Sequence, residues 1–430
     1  METNEYTNHP HLGLIPSDWV VTNSSAVCTK ITDGTHDTPT PTSSGLPYIK
    51  SVHIKKGTIT FESSLFLSKE DHDIIYKRCN PEKGDLLVVN IGLGNIGECA
   101  YVDVDFEFSM KNIALLKPNP KRLDGKYLYY YYESRKNRVV HATKTGGAQP
   151  FLSIKDLKKL KLVVPPLPEQ RKIAEILSTW DKAITTTEKL IETSKQQKKA
   201  LMQQLLTGKK RLRSSPKDGA ETGNAFEGEW EEVKLDDLAI YRRGSFPQPY
   251  GNPEWVDKIN GYPFIQVFDI DKNMKLKSST KTKISDAAIG KSVFIEAGTV
   301  IVSLQGSIGR VAITQYDAYV DRTVLLFQQF KRQMDTVYFA YAIQELFEIE
   351  KEKAPGGTIK TITKQVLSNF TINVPIYTEQ QKIATVITTT DKEIEVLQAK
   401  LAHFKQEKKA LMQQLLTGKR RVKIDEVEAA

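Results

Sequence analysis

Two stretches of the chain carry apolar residues in alternating steps of four and three, which is the heptad pattern of a coiled-coil helix. One stretch covers 173–205 and the other 383–415, and Lys198 and Lys408 interrupt the pattern at matching places. The pattern predicts two long helices that pack on each other. The seam between them is expected to be formed by Leu177, Ile184, Ile191, Leu201, Leu205, Ile387, Ile394, Leu401, Leu411 and Leu415.

The two helical stretches are copies of one another. Residues 198–209 and 408–419 are the same dodecapeptide, Lys-Lys-Ala-Leu-Met-Gln-Gln-Leu-Leu-Thr-Gly-Lys, and each copy opens with Glu-Gln, at 169–170 and 379–380. A repeat with so long a period indicates a duplicated module, in which one globular part is followed by one helix. The chain is therefore predicted to have two heads.

Local motifs signal the ends of both helices. Pro168 suits the first turn of the first helix, and Thr378 with Gln381 has the spacing of a capping box at the start of the second. Gly208 and Gly418 are expected to end the helices. Each helix then spans about 38 residues, or roughly 57 Å.

The remaining segments predict heads made of short strands with one helix each. Strand-like runs such as 85–91 and 299–304 lie between clusters of Gly, Pro, Asn and Asp, and helices are predicted near 127–136 and 337–351. Between 213 and 227, a stretch rich in turn formers and poor in apolar residues predicts a flexible linker.

Short matches also relate the two heads. The heads are expected to share a fold, although their sequences diverge more than those of the helices. Such divergence is expected if the two heads have one fold but recognise different targets. Neutral drift of the sequence is the alternative explanation. The matches are Gly34-Thr35 with Gly244-Ser245, Asn95-Ile96-Gly97 with Ser307-Ile308-Gly309, and Gly146-Gly147 with Gly356-Gly357.

The predicted fold class is α+β, with two mixed α/β domains joined by two long antiparallel coiled-coil helices in a pseudo-twofold repeat. A chain of 430 residues is long enough for each head to bury its own core. The predicted boundaries are a first head at 1–166, a first spacer helix at 167–212, a linker at 213–227, a second head at 228–376, a second spacer helix at 377–422 and a tail at 423–430.

Charge and cysteine content narrow the function classes. The 61 Lys and Arg residues outnumber the 52 Asp and Glu residues, and the net charge of +9 favours nucleic acid as a partner over a merely solvated basic surface. The three cysteines have no metal-binding or redox spacing, which suits a reducing compartment. No apolar run approaches the ~20 residues of a membrane helix and the first residues do not resemble a signal peptide, so a soluble cytoplasmic protein is expected.

One glycine-rich motif raises the question of a bound cofactor. Gly92-Leu-Gly94-Asn-Ile-Gly97 has the spacing of a dinucleotide-binding loop, but the residues after it read as a strand and not as the helix that such a loop requires. A tight turn is therefore predicted. The sequence has no P-loop, no His/Cys metal spacing, no Ser-His-Asp elbow and no amino-methyltransferase motif, so a protein without catalysis, cofactor or metal of its own is expected.

Polar and basic loop residues at matched places in both heads are the candidates for DNA contact. Arg can bind guanine, Asn and Gln can bind adenine, and Lys, Thr and loop amides suit phosphates. Any one of these residues alone is as well explained by a solvated loop, and only the recurrence in both heads favours DNA contact. The candidates are Thr35, His36, Asp37, Asn90, Asn95, Lys111, Lys144, Gln149, Arg242, Arg243, Ser245, Gln266, Gln305, Ser307, Arg310, Arg322, Thr358 and Lys360.

Several strings carry a family resemblance. The chain has a variable region, the string Val-Pro-Pro-Leu-Pro-Glu-Gln-Arg-Lys-Ile-Ala at 164–174 and a long helix ending Leu-Leu-Thr-Gly-Lys, and this order is then repeated. The second copy departs slightly, with Pro-Ile-Tyr-Thr before Glu-Gln at 375–380. These features resemble the specificity subunits of type I restriction-modification systems over nearly the whole chain. Ile15-Pro-Ser-Asp-Trp19 and Gly228-Glu-Trp230 look like the usual beginnings of the two target-recognition domains of that family.

The resemblance implies that each target-recognition domain reads one half of a bipartite, asymmetric site in double-stranded DNA. It implies that the helices set the spacer between the halves and dock two methyltransferase subunits. It further implies that partner subunits methylate adenine N6 with S-adenosylmethionine, and that restriction and translocase subunits use ATP and Mg, so that the chain itself is not an enzyme. The alternative is a DNA-independent coiled-coil adaptor whose heads bind proteins.

Overall fold

Two long helices are present as predicted, α5 (Leu167–Leu205) and α9 (Tyr377–Leu415). Each has 39 residues and is therefore roughly 58 Å long. Both end a few residues before a glycine with a positive φ, which is 72° at Gly208 and 70° at Gly418. These two glycines are the predicted helix stops, and their left-handed backbone is the conformation that glycine adopts without strain.

The two helices also begin in the same way. The amide of Gln170 donates to the carbonyl of Pro166 at 3.0 Å, and the amide of Gln380 donates to the carbonyl of Ile376 at 3.1 Å. Pro168 lies in the first turn of α5, as predicted. Thr378 lies inside α9, one residue past its start, so the predicted cap at Thr378 is wrong.

The structure is a computed structural model that describes residues 6–10, 12–92, 95–143, 151–213, 226–353 and 367–424. The chain forms two compact units, of which unit 1 comprises residues 1–188 and 399–430 and unit 2 comprises residues 189–398. Each unit contains one head, the first half of the long helix that follows that head and the second half of the other long helix. The domain boundaries predicted from the sequence differ, because they place each head and each long helix in separate segments.

Unit 1 has a mixed α/β head in which two small sheets are covered by helices. Its helices are α1 (Ser24–Val27), α2 (Lys69–Arg78), α3 (Gly125–Thr143) and α4 (Ile154–Lys158). Its strands are β1 (Tyr6–His9), β2 (Gly13–Pro16), β3 (Val20–Asn23), β4 (Cys28–Asp33), β5 (Leu46–Lys50), β6 (Ile54–Lys55), β7 (Thr58–Ile59), β8 (Leu65–Leu67), β9 (Leu86–Val89), β10 (Cys99–Tyr101), β11 (Ser109–Lys111), β12 (Ile113–Pro118) and β13 (Lys161–Val164).

Two sheets of unit 1 position the residues discussed below. One is an antiparallel sheet in the order β10-β9-β12-β4, and the other is a sheet in the order β11-β5-β8, in which β11 and β5 are parallel. The strands β1-β2, β6-β7 and β3-β13 form separate pairs. The β3-β13 pair brings the start of the head next to the residues that lead into α5.

Unit 2 has a head of the same kind. Its helices are α6 (Leu235–Leu238), α7 (Asp286–Ile289) and α8 (Thr336–Lys353). Its strands are β14 (Glu231–Lys234), β15 (Ala239–Arg243), β16 (Tyr262–Ile265), β17 (Thr282–Ile284), β18 (Val293–Ile295), β19 (Val300–Ser303), β20 (Val311–Ile313), β21 (Ala318–Val320), β22 (Val324–Phe330) and β23 (Thr371–Val374). One sheet has the order β15-β22-β19-β20, and the other has the order β17-β16-β21-β18, in which β16 and β21 are parallel.

Matched hydrogen bonds confirm that the two heads share a fold. The amide of Gly34 donates to Ile113 O at 2.9 Å, and that of Gly244 donates to Val324 O at 3.0 Å. The predicted strands at 85–91 and 299–304 are present as β9 and β19. The predicted head helices are present as α3 and α8, which extend several residues beyond the predicted ranges.

The helix halves within each unit run antiparallel. In unit 1, Asp181 and Glu188 of α5 pair with Lys408 and Lys405 of α9, in that order. In unit 2, the later residues of α5 share a core with the earlier residues of α9, through contacts such as those among Met202, Leu205, Ile383 and Ile387. Of the predicted seam, Leu177, Ile191, Leu205, Ile387, Ile394 and Leu415 are buried, and Ile184, Leu201, Leu401 and Leu411 are half-buried.

The helix halves belong to the cores of the heads. In unit 1, one cluster combines sheet residues such as Leu86 and Leu116 with Tyr127 of α3 and with Ile173 of α5. A corresponding cluster in unit 2 combines sheet, α8 and both long helices. Burial of apolar surface is the main favourable term in folding, so each head and its helix halves are stabilised together. None of the helices in the described part of the chain has the length and hydropathy needed to traverse a bilayer.

The three cysteines are free thiols inside unit 1 and have raised pKa values. Burial is the main cause, and it raises the pKa of Cys28 and that of Cys79 to about 12. Because the thiolate is the reactive form, the native chain is expected to react with a thiol reagent at pH 8 orders of magnitude more slowly than the unfolded chain. Timed alkylation with and without denaturant, read by mass, measures this. Rapid labelling of Cys79 in the native chain would contradict it.

Candidate nucleic-acid interface

A pair of parallel strands frames the candidate site of unit 1. Strands β5 and β11 pair in register from Tyr48 with Ser109 to Lys50 with Lys111, so both end at the same edge of their sheet. Thr35 pairs with Lys111 as well, through a parallel bridge, and its amide donates to Met110 O at 3.0 Å. Three segments of the chain therefore meet at one edge. We call His36, Lys50, Lys111 and Asn112 the polar edge of unit 1.

Charged and polar side chains contact one another at this edge. His36 lies between two partners, with Nε2 at 2.9 Å from Asp33 Oδ2 and Nδ1 at 3.1 Å from Asn112 Oδ1. The other oxygen of Asp33 accepts a hydrogen bond from Arg78 Nη2 at 2.7 Å. Lys111 Nζ donates to the hydroxyl of Thr38. The edge therefore groups donors and acceptors of both charge signs, with His36 exposed and the other three residues half-buried. Such groups can recognise base edges and phosphates.

The described end of the glycine-rich segment, residues 95–97, lies beside this edge. Asn95 Nδ2 donates to the carbonyl of Ser51, which directly follows β5, at 2.7 Å. Gly97 has a φ of 84°, its amide donates to Val89 O at 2.9 Å, and strand β10 begins at Cys99. The turn at Ile96 and Gly97 and the strand that follows it agree with the prediction for the described residues. Leu93 and Gly94 lie outside the described residues.

Two candidates in unit 1 do not present their side chains to solvent. Asn90 is only 2% exposed, and its backbone carbonyl accepts a hydrogen bond from the amide of Leu152 at 2.8 Å. The prediction that Asn90 contacts DNA is wrong for this conformation, because the residue is enclosed at the end of β9. Thr35 is 7% exposed, and its hydroxyl accepts a hydrogen bond from the amide of Asp37 at 3.0 Å, so Thr35 shapes the loop that exposes His36 and Asp37.

Unit 2 forms its candidate site on an equivalent frame. Strands β16 and β21 are parallel, with Ile265 opposite Val320, and the amide of Asp321 donates to Ile265 O at 3.0 Å. Gln266 and Arg322 follow these strands at the same edge. The amide of Ser245 donates to Val320 O at 2.9 Å, as that of Thr35 does to Met110 O in unit 1. We call Tyr250, Gln266 and Arg322 the polar edge of unit 2.

Tyr250 contacts both other side chains of this edge. The guanidinium carbon of Arg322 lies 5.4 Å from the centre of the Tyr250 ring, within the range of a cation–π interaction. Gln266 Nε2 donates to Tyr250 Oη at 3.2 Å, and Gln266 Oε1 accepts a hydrogen bond from Thr282 Oγ1 at 2.9 Å. Partial burial raises the pKa of the Tyr250 hydroxyl above its ordinary value.

The remaining candidates of unit 2 lie at several places. Gln305 and Ser307 are exposed on the turn after β19, and Gly306 between them faces Val267, which follows Gln266. Arg242 and Arg243 are exposed on β15, just before Gly244. Arg310 is half-buried, and its Nη1 donates to Ile270 O at 3.3 Å. Lys144, Gln149, Thr358 and Lys360 lie outside the described residues, as do the Gly146-Gly147 and Gly356-Gly357 pairs.

A buried ion pair explains the repeated glutamate at the start of each long helix. In unit 1, Glu169 accepts hydrogen bonds from Arg421 Nε at 2.7 Å and from Trp19 Nε1 at 3.0 Å. In unit 2, Glu379 accepts them from Arg211 Nε at 2.9 Å and from Trp230 Nε1 at 3.2 Å. Both glutamates are fully buried. The sequence reasoning did not identify these contacts, although the arginines recur at the same separation as the glutamates.

The lysines that interrupt the heptads have partners of their own. Lys408 Nζ donates to Asp181 Oδ1 at 2.6 Å, and Asp181 Oδ2 accepts from Tyr130 Oη of α3 at 2.7 Å. In unit 2, Lys198 pairs with Asp391, which also accepts a hydrogen bond from Tyr341 of α8. Lys198 and Lys408, which interrupt the heptad pattern, therefore take part in polar contacts that link the head helix of a unit to both long helices of that unit.

Comparison with known proteins shows the family. The model of the type I restriction modification DNA specificity domain matches the chain twice, at residues 16–195 and 227–406. The chain therefore belongs to the family of type I restriction-modification specificity proteins.

Relatives and solved structures agree with this family. A Methanocaldococcus jannaschii protein named as the MjaX specificity subunit of a type I restriction enzyme is 28% identical over 425 residues, which cover 96% of each chain. The MjaVIII specificity subunit of the same organism is 27% identical over 390 residues, covering 88% of this chain and 86% of that protein.

Two solved structures have the same fold. The type I S subunit from M. genitalium has a TM-score of 0.57 at 16% identity, with 92% of this chain and 96% of that chain covered. A chain from a structure describing assembly and conformational transition of the type I R-M system has a TM-score of 0.59 at 18% identity, with 94% and 99% covered. At these identities the likeness concerns the fold alone.

Proposed function

We propose that this chain is the DNA sequence-specificity subunit of a type I restriction-modification complex, and that each head reads one half of a bipartite, asymmetric site. The observation that carries the proposal is that both heads have a polar edge on the same backbone frame but with different side chains. Lys50 stands in unit 1 where Gln266 stands in unit 2. The link after the second parallel strand contains Asn112 in unit 1 and Arg322 in unit 2. A common frame with different chemistry suits the reading of two different half-sites.

Binding would combine two kinds of contact. Lys and Arg side chains around the heads attract phosphates without regard to sequence and make the affinity depend on salt. Side chains of the polar edges add hydrogen bonds to base edges, each good bidentate pair discriminating by ~1 to 3 kcal/mol. The excess of 61 basic over 52 acidic residues has the sign that this attraction needs.

The long helices would set the spacer between the half-sites and dock two methyltransferase subunits. Support comes from exposed residues of the shared dodecapeptide, because Lys199 and Lys409, and likewise Gln203 and Gln413, are identical yet exposed. Core packing does not require such identity, whereas a partner present in two copies would. The partner subunits would carry out methylation with S-adenosylmethionine, and restriction subunits would use ATP and Mg, with the complex acting in the cytoplasm and this chain performing no catalysis.

Methylation mapping tests the proposal. The chain is co-expressed with a methyltransferase subunit from the same source, in a host that lacks the modification, and modified adenines are mapped across the genome. A split motif with two unlike halves and a constant gap is expected. Exchange of residues 228–376 for the corresponding head of another family member should change one half of the motif and leave the other half intact.

A soluble complex that adds no methylation would contradict the proposal. Pull-down with and without nuclease then identifies the alternative, since a DNA-independent adaptor keeps its partners after the nucleic acid is digested. Such an adaptor would also bind duplexes without sequence preference at moderate salt.

A further inference from the structure

We infer that Arg322 is a specificity-determining residue of the second head and that it reads the guanine of a G·C pair. The inference rests on the proposed function. It goes further by naming the side chain, the base that this side chain contacts and the half-site to which the base belongs. Three observations carry it: the place of Arg322 in the fold, the aromatic support beneath its guanidinium, and the hydrogen-bonding groups that remain available on it.

The first observation is the position. Arg322 belongs to the short link between β21 and β22, directly after the parallel pair formed by β16 and β21. The corresponding link in unit 1 is one residue shorter and contains Asn112, which has a φ of 56° and contacts His36. The two heads thus have an arginine and an asparagine in corresponding links. These two residue types favour different bases, guanine for arginine and adenine for asparagine.

The second observation is the support of the guanidinium by a series of aromatic rings that leads into the core. Arg322 lies over Tyr250, the Tyr250 ring lies 5.0 Å from that of Phe246, and Phe246 lies 5.0 Å from the buried Phe264 of β16. Gln266 fixes the hydroxyl end of Tyr250. An exposed arginine usually samples many rotamers, and this support reduces the entropy that would be lost when its guanidinium binds a base.

The third observation is the free hydrogen-bonding edge. No group among the described residues accepts a hydrogen bond from the Arg322 guanidinium, and its cation–π contact is with the Tyr250 ring. Other arginines of unit 2 are engaged: Arg211 with Glu379, Arg332 with Glu231 and Arg310 with Ile270 O. The Tyr250 ring lies against the guanidinium and accepts none of its N–H groups as a hydrogen-bond acceptor atom would, so these donors remain available. Those donors match O6 and N7 of guanine in the major groove.

The test compares Arg322→Ala and Arg322→Lys with the unchanged chain, each in complex with the methyltransferase subunit. The methylated motif is mapped, and affinity is measured for the site and for duplexes with single base changes in the half read by the second head. The unchanged complex is expected to require a guanine at one position of that half. Both variants should lose roughly 10-fold to 100-fold of the discrimination at that position, with the other half-site unaffected.

Matched variants separate base reading from general effects. Lys272→Ala removes a positive charge from an exposed loop of the same unit and should leave the motif unchanged. Tyr250→Phe keeps the aromatic support and should retain specificity, whereas Tyr250→Ala should relax the same single position as Arg322→Ala does. This pattern identifies Tyr250 as a positioning residue. Since Arg322 is exposed, its variants are expected to melt as the unchanged chain does.

Two results would overturn the inference while leaving the proposed function intact. If Arg322→Ala weakens all duplexes equally and lowers the salt slope by about one, Arg322 contacts a phosphate. If the Arg322→Ala complex has the same base preferences as the unchanged complex, another residue reads that half-site. A wild-type complex that methylates no bipartite site would overturn the proposed function and this inference together.

Discussion

Replacing Glu379 with alanine is expected to lower the free energy of unfolding of the chain by about 3 kcal/mol. The carboxylate is fully buried and accepts hydrogen bonds from Arg211 and Trp230. Without it, an arginine and an indole N–H lose their acceptor in an enclosed place. The Arg211 side chain is 29% exposed, so water compensates part of the loss and the estimate stays at the lower end of the range for broken buried pairs. Thermal unfolding measures the effect, with a decrease in Tm of roughly 6 to 12 °C expected.

The equivalent change in unit 1 provides a matched comparison. Arg421 donates not only to Glu169 but also to Asp18, with Nη1 to Oδ1 at 3.0 Å and Nη2 to Oδ2 at 2.7 Å. Arg211 has the carbonyl of Gly228 as its additional acceptor. Because Arg421 keeps a carboxylate, Glu169→Ala is expected to destabilise the chain less than Glu379→Ala does. Equal losses of unfolding free energy, or a larger loss for Glu169→Ala, would contradict this account of the two buried ion pairs.

A second control removes an ion pair that water screens. Lys405 and Glu188 are about half exposed, so Lys405→Ala should change the free energy of unfolding by less than about 1 kcal/mol. The contrast with Glu379 isolates burial as the cause, since both variants remove one charged partner of an ion pair that involves a long helix.

The sequence predicted the parts of the fold that follow from local periodicity and from the repeat. Heptad spacing located α5 and α9, and the glycines at 208 and 418 marked their ends. The heptad pattern shows Lys198 and Lys408 only as interruptions and does not indicate their partners. Their partners Asp391 and Asp181 lie on the other helix, so the pairing depends on an antiparallel register that a single helical pattern does not contain.

The sequence predicted several residues of the candidate sites but not how these residues are arranged in space. His36 and Lys111 were both proposed, yet their proximity depends on the parallel pairing of β5 with β11 and on the bridge from Thr35 to Lys111. Asn90 was proposed for its residue type, and its burial depends on contacts that form only in the folded head. Tyr250 was missed, because an isolated tyrosine in a loop has no sequence signal until Arg322 is brought to it from 72 positions away.

Gly244→Ala is expected to disrupt the polar edge of unit 2 and to lower the free energy of unfolding by about 3 kcal/mol, the upper part of the range for overpacked sites. A Cβ built on Gly244 would lie 2.1 Å from Val320 O and 2.5 Å from Asp321 O. Both contacts are with backbone, which cannot move aside as a flexible side chain can. The end of β15 must therefore separate from β21, breaking the hydrogen bonds from Gly244 to Val324 O and from Ser245 to Val320 O.

Gly290→Ala is the matched control in the same unit. A Cβ at Gly290 meets no heavy atom within 4 Å, and the residue already has helical angles, with φ of −65° and ψ of −9°. This change should be neutral or stabilise the chain by up to about 1 kcal/mol, because alanine restricts the unfolded state. Arg322 directly follows Asp321, so Gly244→Ala should also weaken discrimination in the half-site read by the second head, with the first half-site retained. Equal melting of the two glycine variants would show that the close approach of β15 to β21 is not needed for the fold of this unit.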